Sequence, residues 1–421
     1  VGTTTPGEAL DVSGKANIND GSNNVLISTG NSTITATNTV AVGYQALTAL
    51  TTADGSTAVG YQALSSLTGA AGNTAVGYKA GVSVTGVYNT ILGHNVGQNM
   101  TSATKNVVIG HNGTGNGIAT GTHNTIIGYQ TKNSGSNSIE GLTAVGSGAG
   151  TSGNTQSTHI GYQAGLNNGG TFSTTLGASA GRQGTKNSIV AIGANANYNI
   201  GGNFSVAIGK DSAAGTDTVT IGYDAGSNST DSVFIGYQAG NQETNNNRLY
   251  IENSNSTTPL IYGEFDNDLV RINGDFEVTG GVKIEKTSNT DYDYRGDVVY
   301  FGATTSMTQG DLYYFNSSGN WAQADANAVA SSGSVLLAIA LGTTSDTDGM
   351  LLRGTFTMEA TAIDGTEATG DELYVGTTAG HVTSDVSAYT TGDVVRVVGY
   401  CLDGTNGQIW FNPSNDWIEL S

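Results

Sequence analysis

Between residues 39 and 247, apolar and polar positions recur in one short phrase: a β-branched residue, a small residue, an aliphatic residue and glycine, then polar residues and alanine. SVFIGYQAG (232–240), NTAVGYKAG (73–81), STHIGYQAG (157–165) and TVTIGYDAG (218–226) are instances. The glycines are Gly43, Gly60, Gly77, Gly93, Gly110, Gly128, Gly146, Gly161, Gly177, Gly193, Gly209, Gly222 and Gly236, spaced 13 to 18 residues apart. An aliphatic residue precedes each one, and two residues before that stands Val or Thr without exception. Side chains alternate along a strand, so these two positions share a face, and β-branched residues suit it.

This pattern predicts a repeat protein. The aliphatic face is read as the core of each turn. The residue between, Ala in six of the thirteen turns (Ala41, Ala58, Ala75, Ala144, Ala191, Ala207), is read as pointing the other way, where a second backbone approaches closely. The glycine permits a tight bend. Three residues on, Ala46, Ala63, Ala80, Ala149, Ala164, Ala180, Ala225 and Ala239 fit the narrow inside of a second short strand. One turn cannot bury its own apolar stripe, but stacked turns form a continuous core, and thirteen rungs at about 4.8 Å give a rod on the order of 60 Å long. So thin a coil is marginal alone. Side-by-side assembly is expected, with the Ala face buried between copies.

SVAIGKDSA (205–213) resembles the head repeat of YadA-like trimeric autotransporter adhesins. The GYQAG variants, followed by RLYIENSNSTTPLIYGEF (248–265), resemble the repeat arrays of bacteriophage tail fibres, and VGTTTPGEALDVSG resembles the phrase that opens fibre segments in phage structural proteins. The resemblance covers roughly residues 1–280. It implies a left-handed parallel β-roll assembled as a homotrimer, an extracellular place on the virion among other tail proteins, and attachment to a host-surface glycan or outer-membrane component. The start without Met suggests a fragment or processed product.

The expected fold is all-β, in four parts. Residues 1–38 form an N-terminal β segment, 39–247 the β-roll, 248–287 a β neck and 288–421 a C-terminal β-sandwich or barrel. In the last part the thirteen-fold phrase is gone, and strand-like runs such as DLYYFN, VLLAIALG, LLRGTFTM, DVVRVVGYCL and QIWFNP alternate with turn residues. GDVVYFG, VVRVVGYCLD and NGQIWFNP resemble the C-terminal domains of marine cyanophage structural proteins.

Composition narrows the functional classes. The net charge of −20 argues against a phosphate-tracking surface, so nucleic acid is not an expected partner. A single cysteine, Cys401, excludes an intrachain disulfide framework and in its apolar strand reads as a buried, inert thiol. No apolar run approaches the roughly 20 residues needed to span a bilayer, so the chain is not expected to be membrane-embedded.

Candidate chemistry is sparse. Tyr44, Tyr61, Tyr78, His94 and His111 follow the repeat glycines and predict an aromatic ladder over the bend; the competing reading gives the two histidines a metal. His159, on the Ala face, would meet its copies on a trimer axis or, as the simpler reading, be hydrogen-bonded or solvated. Asp346 and Asp348 in SDTDGM offer two oxygens to calcium, which suits so acidic a segment, but the rest of an EF-hand is missing and a turn is the simpler reading. Asp291, Asp293, Asp371 and Glu372 are the carboxylates available to a glycan hydrolase, yet neighbours on a strand face opposite ways. No enzyme is expected, and no catalytic, cofactor or metal residue is assigned. Tyr313, Tyr314, Trp321 and Trp417 are the candidate receptor contacts, with Trp321 and Trp417 expected to be exposed, and Trp410 is a further ring for a sugar platform. The leading reading is a viral tail fibre. A bacterial trimeric surface adhesin and a glycan-degrading tailspike are its rivals.

Overall fold

In a computed structural model of the chain, the described residues are 24–28, 35–52, 54–132, 138–150, 155–199, 202–280 and 283–421. The fold is all-β, and helix among these residues is confined to the single turns Val329–Ser332, Ser345–Asp348 and Ala360–Ala362. Two compact units divide the chain, Val1–Phe276 and Glu277–Ser421.

The first unit is a parallel β-solenoid. Its turns outnumber the thirteen glycine phrases: among the described residues, fifteen strands from Val25–Ile27 to Arg248–Ile251 form one parallel ladder. The first and last rungs, VLIS and LYIE, lack the glycine and so escape the phrase. The segment expected over 1–38 falls mostly outside the described residues, and its strand Val25–Ile27 opens this ladder against Val40–Val42. After Arg248–Ile251 the pairing turns antiparallel, to Ile261–Glu264 and then Leu269–Ile272.

Register is in step throughout: Val40, Ala41 and Val42 lie beside Thr57, Ala58 and Val59, which lie beside Thr74, Ala75 and Val76. Each phrase therefore sits on the same phrase of its neighbours. Twelve of the thirteen phrase glycines have φ between +121° and +148°. A Cβ at Gly93 would lie 1.8 Å from the Gly110 carbonyl oxygen, so glycine is needed both for the bend and for the approach of the next turn.

The faces are the reverse of the sequence reading. Ala41, Ala58, Ala75, Ala144, Ala191 and Ala207 are buried inside each turn, whereas the flanking Val, Thr, Ile and Leu positions point outward and stay half-buried or exposed. Small residues belong inside because the far side of the coil already fills the interior with Leu47, Leu50, Leu64, Leu67, Val84 and Met100. In some turns a larger inward strand residue is matched by a smaller far side. In GYQAL turns the inward residue is Ala41 or Ala58, and in the GYQAG turns it is His159 or Phe234. A Cβ at Gly240 would lie 2.0 Å from Phe234 Cδ1, and one at Gly165 would lie 2.4 Å from His159 Nδ1. In these four turns the phrase's last residue matches the inward side chain, whereas Gly81, in a turn whose inward residue is Ala75, leaves room for Ile91 of the next turn, 2.8 Å from where its Cβ would lie.

A second correction concerns the segment after each bend. Ala46, Ala63 and Ala80 do face inward, but the backbone there is a run of turns, not a strand. Gln45, Gln62, Lys79 and Asn95 adopt φ of +53° to +55° in it. Such positions cost about 1 kcal/mol each. Rung-to-rung bonds hold them, as Gln62 N donates to Tyr44 O at 2.9 Å and Lys79 N to Tyr61 O at 2.8 Å.

The interior also carries a polar column absent from the sequence reading. Asn73, Asn89, Asn106 and Asn124 are buried one above another. Asn89 Nδ2 donates to Asn73 Oδ1 at 3.1 Å, Asn106 Nδ2 to Asn89 Oδ1 at 3.0 Å and Asn124 Nδ2 to Asn106 Oδ1 at 2.9 Å. Their second amide protons reach the carbonyls of Ala103, Gly121 and Ile139 in turn. This satisfaction is what permits amides in a core.

The second unit contains a ten-stranded, mostly antiparallel sheet centred on Met350–Thr357, which pairs with Tyr294–Val299, Leu336–Ala340 and Gln408–Phe411. Leu312, Leu337, Ile339, Leu351, Phe356, Leu373, Val398, Ile409 and Phe411 form its main core.

Candidate functional site

Two surfaces of the solenoid repeat with its turns. The first is the outward face of the strand ladder, a column of Val and Thr beside a column of Val, Leu and Ile. Leu92, Ile160, Leu176, Ile221 and Ile235 on it are 36% to 46% exposed. These rows lie on paired, in-register strands, so the aliphatic row forms one continuous apolar stripe beside a mixed row of Val and Thr. Scattered exposed aliphatics need no explanation, but a continuous stripe of them is a feature that ordinary monomer surfaces rarely show.

The second is the aromatic ladder. Tyr44, Tyr61, Tyr78, His94, His111 and Tyr129 stack in sequence, with centroids 4.9 to 6.0 Å apart. Tyr223 and Tyr237 repeat the arrangement at 5.4 Å. The ladder is as expected, and Tyr129 extends it by a ring. His94 and His111 take part as stacked plates 5.1 Å apart, and no group of three metal-ligating side chains occurs among the described residues.

His159 is not on an outer surface. It is fully buried inside the solenoid, where Nδ1 meets Thr175 Oγ1 at 2.8 Å and Nε2 has no partner among the described residues. Burial, reinforced by the positive charge of Lys132, pulls its pKa down to about 4. Lys132 and Lys186 are buried in the same core, and burial lowers each to about 8. Lys186 Nζ donates to the carbonyls of Arg182 at 3.0 Å and Asn197 at 2.5 Å. Two lysines inside a narrow coil carry no sequence signal, because each stands at a position that other turns fill with small or apolar residues.

In the second unit Tyr313 and Trp321 join one buried cluster with Met307 and Met350, while Tyr314 packs against the main core. Trp321 is buried, not exposed: its ring packs on Phe301 and Phe315, and Nε1 donates to Phe301 O at 2.8 Å. The turn-rich SSGNW suggests exposure, but the hairpin returns Trp321 directly beside Phe315. Tyr313 is buried too, its hydroxyl accepting from Thr308 N at 2.8 Å. Tyr314 is half-buried against the main core, and Trp410 and Trp417 are half-buried.

Three of the four carboxylates considered for a glycan hydrolase are engaged locally. Asp293 pairs with Arg295 at 2.5 Å, Asp371 accepts from Ala368 N at 2.7 Å and Glu372 from the Tyr374 hydroxyl at 2.6 Å. Asp348 turns back to accept from Thr344 N at 2.8 Å, the geometry of a side-chain-stabilised turn. Cys401 is buried, and burial raises its thiol pKa.

No protein-family model, curated protein or solved structure matches the chain. No helix among the described residues is long and apolar enough to cross a membrane.

Proposed function

We propose that the chain is a fibre subunit, with the solenoid as a repetitive shaft built from three copies and the second unit as the part that contacts a glycan on a host surface. The carrying observation is the outward stripe of Leu92, Ile160, Leu176, Ile221 and Ile235, left half open by a coil whose interior is already full. A second copy of the same chain is the natural occupant, because its stripe repeats at the same rung spacing and contains no charge. The resemblance of SVAIGKDSA to trimeric head repeats supports three copies rather than two. The resemblance of the GYQAG array to tail fibres supports a virion setting.

The recognition role goes to the second unit on a contrast of surfaces. The solenoid presents nearly the same side chains rung after rung and discriminates poorly between partners, while the second unit offers irregular loops and pockets. Three weak sites on one fibre gain by avidity. Antibodies to residues 288–421 test the reading on intact particles. They should decorate the tail in electron micrographs and block adsorption to host cells. Labelling of a bacterial envelope instead would favour the adhesin, and unimpaired adsorption would contradict the assignment to the second unit.

A further inference from the structure

Arg396 is a buried cation in an acidic domain, only 4% exposed. Its Nε donates to Ser414 O at 2.7 Å, and its Nη1 to the carbonyls of Ser332 at 3.2 Å, Gly333 at 2.5 Å and Val335 at 2.9 Å. These carbonyls fix the guanidinium in one orientation without neutralising it. Arg295 and Arg353 are each paired with an aspartate, whereas Arg396 meets no carboxylate among the described residues, and burial alone lowers its pKa. A buried cation without a counter-charge is costly, and such a site favours an anion.

Arg396 borders a pocket of about 550 Å³. The Nη2 corner of its fork makes no hydrogen bond among the described residues. Around it stand Asn412, Asn415 and Ser334, which suit hydroxyls, and Leu336, which gives an apolar wall. The one carboxylate in the wall, Asp297, is held by Arg353 at 2.7 Å. Trp417 stands nearby, since a Cβ on Gly333 would lie 3.4 Å from its ring. One fixed cation, amides and a hydroxyl beside an apolar wall form the recognition set for a sugar ring bearing a carboxylate.

We propose that the Arg396 pocket binds the carboxylate of an acidic sugar residue in a host-surface polysaccharide. This rests on the reading of the second unit as glycan-binding and narrows it to uronic-acid-type ligands. The many aspartates of 288–421 repel such a chain at long range, so the attraction is local to the pocket. Binding should therefore survive added salt, unlike capture by a broad basic surface.

The test titrates the full chain by calorimetry with oligogalacturonate, with the methyl ester of the same oligomer and with a neutral glucan oligomer. The acid form should bind, esterification should weaken it at least about tenfold, and Asn412→Ala should weaken the acid form severalfold. Arg396→Gln should abolish the preference for acid over ester. If that variant fails to fold, the ester comparison and Asn412→Ala still decide. Equal binding of acid, ester and neutral oligomers would overturn the carboxylate assignment and leave the glycan reading standing. Acid-form binding indifferent to Asn412→Ala would place the site elsewhere and overturn the pocket. Binding of none would count against both readings.

Discussion

The two units solve the same problem, covering apolar surface with few charges, in opposite ways. In the solenoid each side chain meets the same position of the next turn, so Asn stacks on Asn, Tyr on Tyr and glycine on glycine. In the second unit unlike residues interlock, as Trp321 does with Phe301 and Phe315. A periodic structure therefore shows its local chemistry thirteen times over, while an irregular one shows each contact once. Periodicity has a cost in specificity, because two apolar faces that both repeat cannot be told apart by repetition.

Breaking this contrast starts from the inner face. Ala58→Glu should destroy the ladder, with a loss above about 4 kcal/mol, since a carboxylate would replace a methyl group that is 0% exposed. Loss of the circular-dichroism strand signal would show it. A folded variant would mean the interior is wrongly placed.

Glycines compare the two units directly. Gly93→Ala puts a methyl 1.8 Å from a backbone oxygen, and Gly370→Ala puts one at φ +100° with nothing within 4 Å. The first should cost more than about 3 kcal/mol and the second about 1 kcal/mol. Chemical denaturation with separate probes for each unit reads both, and equal costs would refute the close approach of the turns.

The buried His159 sharpens the contrast through pH. Its folded pKa of about 4 lies below the ordinary histidine value of 6.5, so the fold favours the neutral ring. The stability that follows is fully present above pH 6.5 and falls as pH drops through the window from 6.5 to about 4, a loss on the order of 3 kcal/mol. His159→Gln should flatten that window for the solenoid and leave the second unit's acid transition unchanged. A solenoid melting temperature that does not vary with pH between 7 and 4 would contradict the burial of this ring.

Much of this was readable from the chain. The glycine column, the strands before it and the aromatic ladder follow from spacing, and DLYYFN, VLLAIALG and LLRGTFTM become Leu312–Phe315, Leu336–Ala340 and Met350–Thr357. The inward face was not, because larger aliphatics are the usual core residues and nothing in a two-residue period says how narrow the interior is. A partial clue was the pairing of GYQAL with Ala58 and GYQAG with Phe234, which has meaning only once the two are seen to face each other, and the Ala75 turn with Gly81 does not follow it. Lys132, Lys186 and the Arg396 pocket depend on distant chain segments and leave no local pattern.

The most direct measurement of the central claim, that copies meet through the outward aliphatic stripe, is sedimentation equilibrium of the intact chain beside Leu92→Glu with Leu176→Glu. Both leucines are nearly half exposed, so the substitutions should leave the fold of a single chain almost unchanged. The account predicts a three-chain mass for the unaltered protein and a one-chain mass for the variant, with the strand signal of both alike. A variant that keeps the three-chain mass, or an unaltered protein that sediments as one chain, would contradict it.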